Sequence, residues 1–387
     1  MLFRSHVAAN MQGDVDVLRL LLDKGADLHA VNNDGLAPLL LALRHAHYRQ
    51  EANGRRLYDV AALLLARGAL VKGVASGAEL PLRAAMDPVN LPLIMLLLNH
   101  GAAIPDEGLD WAIANEYTDL IRSLMARATP GMLGFKDSTG GTLLHRAATK
   151  SGTQFVMEWL VGKRFDVNAL DNDRLTPFGH AALAGNVPGM TYLASVKAKM
   201  DTIDADGQTA LHLAAYGARH EVLQWLIAKG YDVKSVDKQG RTPLMIAIDT
   251  HRFAYYTEAR KLELIALLGG VPGDIVRGRY SDHPLHAAVR AKDIRTIERL
   301  LESGAGANLK DESGDTPLYW AIQWCSTLAT PNERAFGEKL LPLLIRHGAD
   351  TTLRKGANDE TYDQFARGLR LGDLLERTKQ RHAPTKR

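Results

Sequence analysis

Apolar residues recur along the chain in short runs with helical spacing, and polar turns separate the runs. Within residues 220–229 the apolar positions are Val222, Leu223, Leu226 and Ile227. Residues with this spacing lie on one side of an α-helix, so the stretch predicts a helix with one buried face. The shorter run LHLAAY at 211–216 predicts a preceding helix whose alanines let another helix come close. The chain is therefore predicted to consist of pairs of short helices.

Turn residues separate the predicted helices. Asp206-Gly207 is a tight-turn dipeptide, and Thr209 follows where its hydroxyl can cap the next helix. Gly230 is predicted to end the second helix, because glycine adopts a positive φ at low cost. The same pattern begins at intervals of 33 residues with Asp171, Asp204 and Asp237. The pattern indicates a repeat of one turn and two helices.

The period, the turn and the tetrads of the TPLH type resemble the ankyrin repeat family. The tetrads occur in GTLLHRAA at 141–148 and in QTALHLAAY at 208–216. The resemblance covers most of the chain and implies an all-α ankyrin-repeat solenoid, with helix-turn-helix units, short β-hairpin fingers and a concave face. It also implies a non-catalytic scaffold that binds a partner protein, without identifying that partner. The composition, rich in alanine, leucine and arginine, favours a bacterial member of the family.

The repeats predict one array over residues 1–376, with about nine repeats plus caps, and a basic tail at 377–387. Each repeat in such an array buries its apolar face only against its neighbours. The turn signature decays within 107–136, which predicts a seam. Arg174 stands where glycine is usual, and a side chain disfavours the left-handed turn. A looser finger is therefore expected in the repeat 171–203.

The family's partners usually lie across a concave side built from finger tips and exposed first-helix positions. Carried onto this chain, the tip positions are Asn172, Asp173, Leu175, Ala205, Asp206, Gln208, Lys238, Gln239, Arg241, Glu312, Ser313 and Asp315. The corresponding first-helix positions are Thr149, Lys150, Leu183, Tyr216 and Asp249. We expect partner contacts at these positions; the alternative for each is a merely solvated turn.

Three insertions, at about 44–57, 249–261 and 323–338, lengthen selected repeats. Their aromatic and basic residues, with two preceding tryptophans, are His47, Tyr48, Arg49, Phe253, Tyr255, Tyr256, Phe336, Trp320 and Trp324. Aromatic residues and arginine are over-represented at binding hot spots, and lengthened loops often carry function. The insertions are therefore predicted to confer specificity; the alternative is that their aromatics pack on their own helices.

Charge and composition narrow the classes of partner. The 387 residues include 47 basic and 44 acidic ones, a net charge of +3 that is too balanced to favour nucleic acid or an acidic membrane. No stretch approaches the roughly 20 apolar residues of a membrane-spanning helix. The expected partner is a protein rather than a nucleic acid, a membrane or a small molecule. Cytoplasmic location is the default, with a periplasmic or secreted location if a leader has been removed.

The residues that could carry chemistry have structural explanations. His145, His212 and His286 occupy the tetrads, where the resemblance implies that histidine holds the turn to the helix. Cys325 is the single cysteine, so neither a disulfide framework nor a cysteine-built zinc site is predicted. No HExxH, CxxC, GxSxG or P-loop pattern occurs. We therefore predict no cofactor, metal or catalytic residue.

Alternative functions remain open at this point. Two specialised scaffolds are an immunity protein that covers the active site of a secreted toxin and an effector that engages host proteins. An enzyme would need acidic or histidine side chains that converge across repeats with shifted pKa values. A nucleic-acid binder would need a continuous basic stripe, whereas the predicted tip positions alternate in sign.

Overall fold

The computed structural model describes residues 15–33, 35–45, 54–71, 81–86, 90–249, 263–264, 267–268, 284–311, 313–326, 328–355 and 360–382. These residues contain 21 α-helices. The chain divides into two compact units, residues 1–137 and 138–387. A single array over 1–376 stays a prediction.

The first unit consists of short helices paired in sequence. They are α1 (Val15–Asp23), α2 (Pro38–His45), α3 (Gly54–Ala66), α4 (Pro81–Ala85), α5 (Leu91–Asn99), α6 (Gly108–Ala114), α7 (Thr118–Ala126) and α8 (Pro130–Gly134). Helix α3 contacts both α1 and α5, while α2 contacts α4. Leu43, Leu64 and Leu97 are fully buried between these helices. Alternate helices thus stack on one another, as the predicted repeats require.

The second unit continues the same pattern over a longer stretch. Its helices are α9 (Leu143–Ala148), α10 (Gln154–Gly162), α11 (Pro177–Ala184), α12 (Val187–Ser195), α13 (Ala210–Tyr216), α14 (His220–Ala228), α15 (Pro243–Asp249), α16 (Pro284–Arg290), α17 (Ile294–Glu302), α18 (Pro317–Trp324), α19 (Pro331–Arg346), α20 (Tyr362–Gly368) and α21 (Gly372–His382). The first helices α9, α11, α13, α15, α16, α18 and α20 each contact the next. This row of first helices supports the fingers between them.

Side chains at the helix starts join successive repeats. Thr176 Oγ1 accepts the Gly179 N–H at 3.2 Å and begins α11. Asn186 Oδ1 accepts the Gly189 N–H at 2.9 Å and begins α12. The Asn186 amide also donates to the Ala148 carbonyl of the preceding repeat at 2.9 Å. One buried asparagine therefore caps its own helix and ties it to its neighbour.

The fingers are tight turns closed by an aspartate. In the turn 204–208, the Asp204 N–H donates to the Gln208 carbonyl at 3.1 Å. The Asp204 Oδ1 in turn accepts the N–H groups of Asp206 at 2.9 Å and Gln208 at 2.7 Å. Among the described residues, extended segments meet only in isolated bridge positions, at Lys136, Thr142, Arg354 and Thr361, and Arg354 pairs with Thr361. The predicted hairpins are therefore turns held by side chains more than paired strands.

The prediction of a looser finger at 171–175 is wrong. Arg174 adopts a φ of 61°, yet the Asp171 N–H still donates to the Leu175 carbonyl at 3.1 Å. The Asp171 Oδ1 accepts from Asp173 and Leu175 as Asp204 does in its own turn. The side chain is accommodated because Arg174 is exposed to solvent. The turn keeps its shape at the cost of a strained arginine.

Two predicted segments at the C-terminal end also need correction. The basic tail was predicted from 377, but α21 continues to His382. Lys379 lies within this helix and donates to Asp363 of α20 at 2.6 Å. The third insertion is not a loop throughout, because α19 already begins at Pro331. The insertion thus lengthens the second helix of its repeat at its N-terminal end.

A candidate protein-binding surface on the fingers

Four fingers of the second unit, residues 138–142, 171–175, 204–208 and 237–241, form one hydrogen-bonded series, which we call the finger ladder. The Asn172 N–H donates to the Thr139 carbonyl at 2.8 Å, and the Ala205 N–H donates to the Asp173 carbonyl at 2.8 Å. The Lys238 N–H donates to the Asp206 carbonyl at 2.9 Å. Because each finger is bonded to the next, side chains at equivalent positions are held in rows.

Tetrad histidines fix the finger ladder to the helices. The His145 Nδ1 accepts the Thr142 N–H at 3.1 Å, and its Nε2 lies 3.1 Å from the Leu175 carbonyl in the next finger. His212 repeats this arrangement with Thr209 at 3.2 Å and the Arg241 carbonyl at 3.0 Å. The His286 Nε2 lies 3.3 Å from the Asp315 carbonyl. The predicted structural role of the tetrad histidines is confirmed.

The electrostatics of these histidines agree with that role. Burial, followed by the neighbouring His180, lowers the pKa of His145. Burial likewise lowers the pKa of His212. A neutral ring leaves Nδ1 able to accept from the threonine N–H while Nε2 donates to the next finger. The low pKa values therefore favour the protonation state that the hydrogen bonds require.

Some repeats replace the tetrad histidine with other groups. Met245 stands at this position in the turn after Asp237, and its Sδ accepts the Thr242 N–H at 3.4 Å. Gly179 stands there in the repeat 171–203. In that repeat the next residue, His180, lies with its Nε2 2.7 Å from the buried Asp171 Oδ2. The finger aspartate is thus held by the first helix even where the tetrad is broken.

The described tip and first-helix positions are either exposed or half-buried. Asn172, Asp173, Ala205, Asp206, Lys238 and Tyr216 are exposed, as is Ser313. Leu175, Gln208, Gln239, Arg241, Asp315, Thr149, Lys150 and Leu183 are half-buried. Arg241 is engaged by its own turn, since its Nε donates to the Asp237 Oδ2 at 2.9 Å. The Lys238 Nζ likewise donates to the Ala205 carbonyl of the preceding finger. Lys238 and Arg241 therefore already stabilise the fingers, while the other exposed residues are available to a partner.

Part of the predicted binding set cannot be placed. His47, Tyr48, Arg49, Phe253, Tyr255, Tyr256, Glu312 and the side chain of Asp249 lie outside the described residues. Their contact with a partner stays a prediction.

Trp324 was predicted to contact a partner, but it is buried, with 8% of its surface exposed. Its ring lies 5.5 Å from that of Trp320 and 5.4 Å from that of Phe336. The Lys292 Nζ lies 5.1 Å from the ring centroid. The inserted first half of α19 supplies Phe336 and covers the tryptophan. At this insertion the alternative of aromatics packing on their own helices is the correct one.

Three exposed aliphatic side chains on the ladder were missed from the sequence. Leu170, Ile203 and Val236 each precede a finger aspartate and are 47%, 50% and 41% exposed. We call them the apolar row. They are 33 residues apart, so no window of helical or strand length shows them together. Alignment of the repeats on the finger aspartate shows the three residues in one column.

The described residues contain little that suggests catalysis. No group of three histidine, cysteine, aspartate or glutamate side chains is arranged to hold a metal ion there. Burial, with a smaller contribution from Glu338, raises the pKa of the Cys325 thiol to about 11. A thiol with this pKa is protonated near neutral pH and is a weak nucleophile. Over the same residues, every helix is too short or too polar to cross a bilayer.

Comparison with known families agrees with this geometry. A family model described as "Ankyrin repeats (3 copies)" matches residues 109–204 and 193–258. A second, described as "Ankyrin repeats (many copies)", matches residues 5–50 and 274–328. Between them the two models cover most of the chain.

Individual relatives share only part of their length with this chain. The B-cell lymphoma 3 protein homolog of Mus musculus is 30% identical over 251 residues, which are 62% of this chain and 51% of that protein. Palmitoyltransferase ZDHHC13 of Homo sapiens is 29% identical over 48% of this chain and 29% of its own length. The chain thus spans about half or less of these relatives. Neither relative supports the predicted bacterial origin.

Among solved structures, the human ASB11 ankyrin repeat domain is 21% identical and superimposes with a TM-score of 0.48. The match covers 61% of this chain and 96% of that domain. The matched models, the tetrads and the bonded fingers lead to one conclusion. The chain belongs to the ankyrin repeat family.

Proposed function

We propose that this protein is a binding scaffold that captures a partner protein on the finger ladder. The observation that carries the proposal is the ladder itself, in which backbone hydrogen bonds hold consecutive fingers in register. Exposed side chains at Asn172, Asp173 and Asp206 lie on this fixed framework, and so does Lys238, whose Nζ donates to the Ala205 carbonyl. A surface already ordered before binding loses less conformational entropy on association.

The size of the ladder suits a protein partner. A standard interface buries about 800 Å² on each side, so a few adjacent repeats are enough. The tips also differ in sign, with Asp173 and Asp206 on two fingers and Lys238 on the third. Nucleic-acid binding requires a continuous basic surface, which these fingers lack. The charges favour recognition of a polypeptide with a matching pattern.

The insertions near 44–57 and 249–261 are proposed as additional specificity elements, on the basis of their aromatic and arginine content. The insertion near 323–338 packs on its own repeat, so its proposed role is structural. Its Phe336 packs on Trp324, and Glu333 pairs with Lys292 at 3.0 Å. It therefore stabilises the last full repeat, in which Trp320 of α18 is half-buried.

The relatives do not extend the proposal to catalysis. The name of one includes palmitoyltransferase, but this chain covers only 29% of that protein. Nor do the relatives support an immunity or an effector role over a general scaffold. These finer roles would be decided by the identity of the partner.

A capture experiment tests the proposed function. The tagged 387-residue chain, expressed in its own host, should retain a specific partner that mass spectrometry identifies. The tip variant Asp173→Lys, Asp206→Lys, Lys238→Glu should retain at least tenfold less of it while unfolding at an unchanged temperature. The control Glu221→Lys, Glu298→Lys, Lys339→Glu makes the same charge changes at exposed second-helix positions. Equal loss in both variants, or loss in neither, would place binding elsewhere.

A further inference from the structure

Resting on the proposed function, we propose that the apolar row of Leu170, Ile203 and Val236 binds an amphipathic α-helix of the partner. The helix would present apolar side chains seven residues apart and would carry lysine or arginine beside the first two of them. The finger ladder would then recognise an amphipathic helix, and the apolar row, which is not among the predicted tip residues, would make part of the contact.

The exposed residues of the apolar row occupy equivalent positions in their repeats. Ten large apolar side chains are exposed among the described residues, and three of them occupy one register position on consecutive fingers. Single exposed aliphatic residues are normal on protein surfaces and need no explanation. Grouped exposed apolar side chains are typical of an interaction site, and this row recurs on an ordered framework. Regular placement therefore separates Leu170, Ile203 and Val236 from Leu328, which is 80% exposed and lies outside the finger ladder.

The spacing of the row favours a helix. The first helices α11, α13 and α15 beneath these fingers contact one another in order, and packed helices lie about 8–10 Å apart. Seven residues of an α-helix rise about 10.5 Å and return to nearly the same face. Three residues of a β-strand cover a similar distance, about 10 Å, but then point to opposite faces in turn. A partner strand could not present like side chains to all three fingers.

A polyproline helix also repeats at about 9 Å, which is three residues. Grooves that recognise it are lined by aromatic side chains. The apolar row is entirely aliphatic, and aliphatic grooves are typical of helix recognition, in which the anchors recur at helical spacing. The composition of the row therefore favours the α-helix over the proline-rich segment.

The charges beside the row indicate the flanks of the partner helix. Asp173, Asp201 and Asp206 are exposed near the first two fingers, and none forms an ion pair with a described residue. Burial, with further contributions from Asp206 and Asp237, raises the pKa of Asp204. Arg174 beside Asp173 and Lys199 near Asp201 are exposed as well, so the three carboxylates outnumber these two basic groups by one. This small excess of carboxylates would attract basic side chains. Lys238 ends the acidic stretch at the third finger.

The chain itself supplies a conservative way to remove the row. In two other repeats the residue before the aspartate that begins the repeat is a lysine, Lys136 before Asp137 and Lys310 before Asp311, and both lysines are exposed. The fold thus accepts lysine at this register position. The triple variant Leu170→Lys, Ile203→Lys, Val236→Lys should therefore fold normally while losing the apolar contact. Leu328→Lys is the matched control, because it removes the most exposed aliphatic side chain outside the row.

The test is a display selection on the full-length chain. One library presents 21-residue helices with leucine at three positions seven residues apart and all other positions random. A second presents proline-containing extended peptides. We expect binders from the helical library, enriched in lysine and arginine beside the first two leucines. Their affinity should fall at least tenfold on the triple variant and less than twofold on Leu328→Lys.

The outcomes separate this inference from the proposed function. Binders from the extended library alone, or helical binders that the triple variant retains, would overturn the helix proposal. Concentration-dependent self-association that the triple variant abolishes would overturn it in favour of a second copy of this chain. Native partner capture lost in the tip variant but kept in the triple variant would leave the scaffold function intact and reject the role of the row.

Discussion

The repeat 204–236 and the last full repeat, 311–355, hold the same turn to the same kind of helix with different groups. In the first, the Thr209 N–H at the start of α13 donates to the His212 Nδ1, which belongs to that helix. In the second, Tyr319 stands at the histidine position, and the Thr316 N–H donates instead to the Tyr362 hydroxyl at 2.7 Å. The bond is local in one repeat and supplied by the following helix pair in the other.

This difference changes the role of the terminal helix pair. A capping pair is usually needed to cover the apolar face of the last repeat. Here Tyr362 is fully buried, and its hydroxyl also lies 3.4 Å from the Asp315 Oδ1 in the last finger. The pair α20 and α21 therefore completes the hydrogen bonding of the repeat that it covers. The last full repeat should depend on its cap, while the repeat 204–236 should not depend on its neighbour in this way.

Substitution of Tyr362 should have the largest effect, because it should destabilise the last full repeat but not the repeat 204–236. Tyr362→Ala deletes a fully buried aromatic side chain and should cost about 3–5 kcal/mol of local stability. Tyr362→Phe keeps the packing but leaves the buried Thr316 N–H unpaired, at a cost of about 1–3 kcal/mol. Native-state hydrogen exchange of α18 should accelerate in both variants, while exchange of α13 stays unchanged. Equal acceleration in α13 would show that the cap acts on the whole array.

The close approach of α19 to α18 offers the next largest effect. A Cβ at Gly337 would lie 2.9 Å from the backbone of Trp324 and Cys325. Gly337→Ala should therefore destabilise the protein by about 1–3 kcal/mol through overpacking. Gly162→Ala is the control, because a Cβ there meets nothing within 4 Å. Urea unfolding should show a lower free energy of unfolding for Gly337→Ala only. If the two variants have the same free energy of unfolding, the close contact between α18 and α19 does not limit the size of residue 337.

Much of this organisation follows from the sequence because it is local. Of the predicted apolar stripe, Val222, Leu223 and Leu226 are buried and Ile227 is half-buried. The tetrad histidines make the expected bonds. The partner of Thr316 lies 46 residues away in the chain, so no pattern within one repeat indicates it. The burial of Trp324 depends on a helix start at Pro331 inside a segment predicted to be a loop. Local patterns predict the repeats, whereas contacts made between unlike repeats require the structure.

Acid should weaken the regular repeat through its histidine. Burial lowers the pKa of His212 below its ordinary value of 6.5, so the unfolded chain takes up this proton first as the pH falls. The contribution of a neutral His212 is therefore complete above about pH 6.5 and is lost progressively below it. His212→Met should cost about 1–2 kcal/mol at pH 7.5 but should reduce the loss of stability between pH 7.5 and 5. The check is urea unfolding of both proteins across this range.

The last full repeat provides the contrast for that pH series. Its threonine is paired with Tyr362, and burial raises the pKa of this phenol above its ordinary value of 10. The hydroxyl therefore does not titrate between pH 5 and 7.5. Tyr362→Phe should lower stability by the same amount at both pH values. A pH-dependent effect of Tyr362→Phe would mean that other titrating groups hold the last repeat.

The smallest effect concerns a position at which the two compared repeats agree. Both have glycine at positive φ in the finger, 78° at Gly207 and 77° at Gly314, whereas Arg174 adopts 61° in the finger between His145 and His212. Glycine adopts this φ without the steric penalty of a side chain, although it loses more conformational entropy on folding than other residues. Arg174→Gly should therefore raise stability by about 0.5–1 kcal/mol, measured as an increase in the urea midpoint. Gly207→Ala should act in the opposite direction, because its Cβ would also lie 3.1 Å from the Lys238 backbone nitrogen. If Arg174→Gly instead lowers the midpoint, the arginine side chain stabilises the ladder by more than its backbone strain costs.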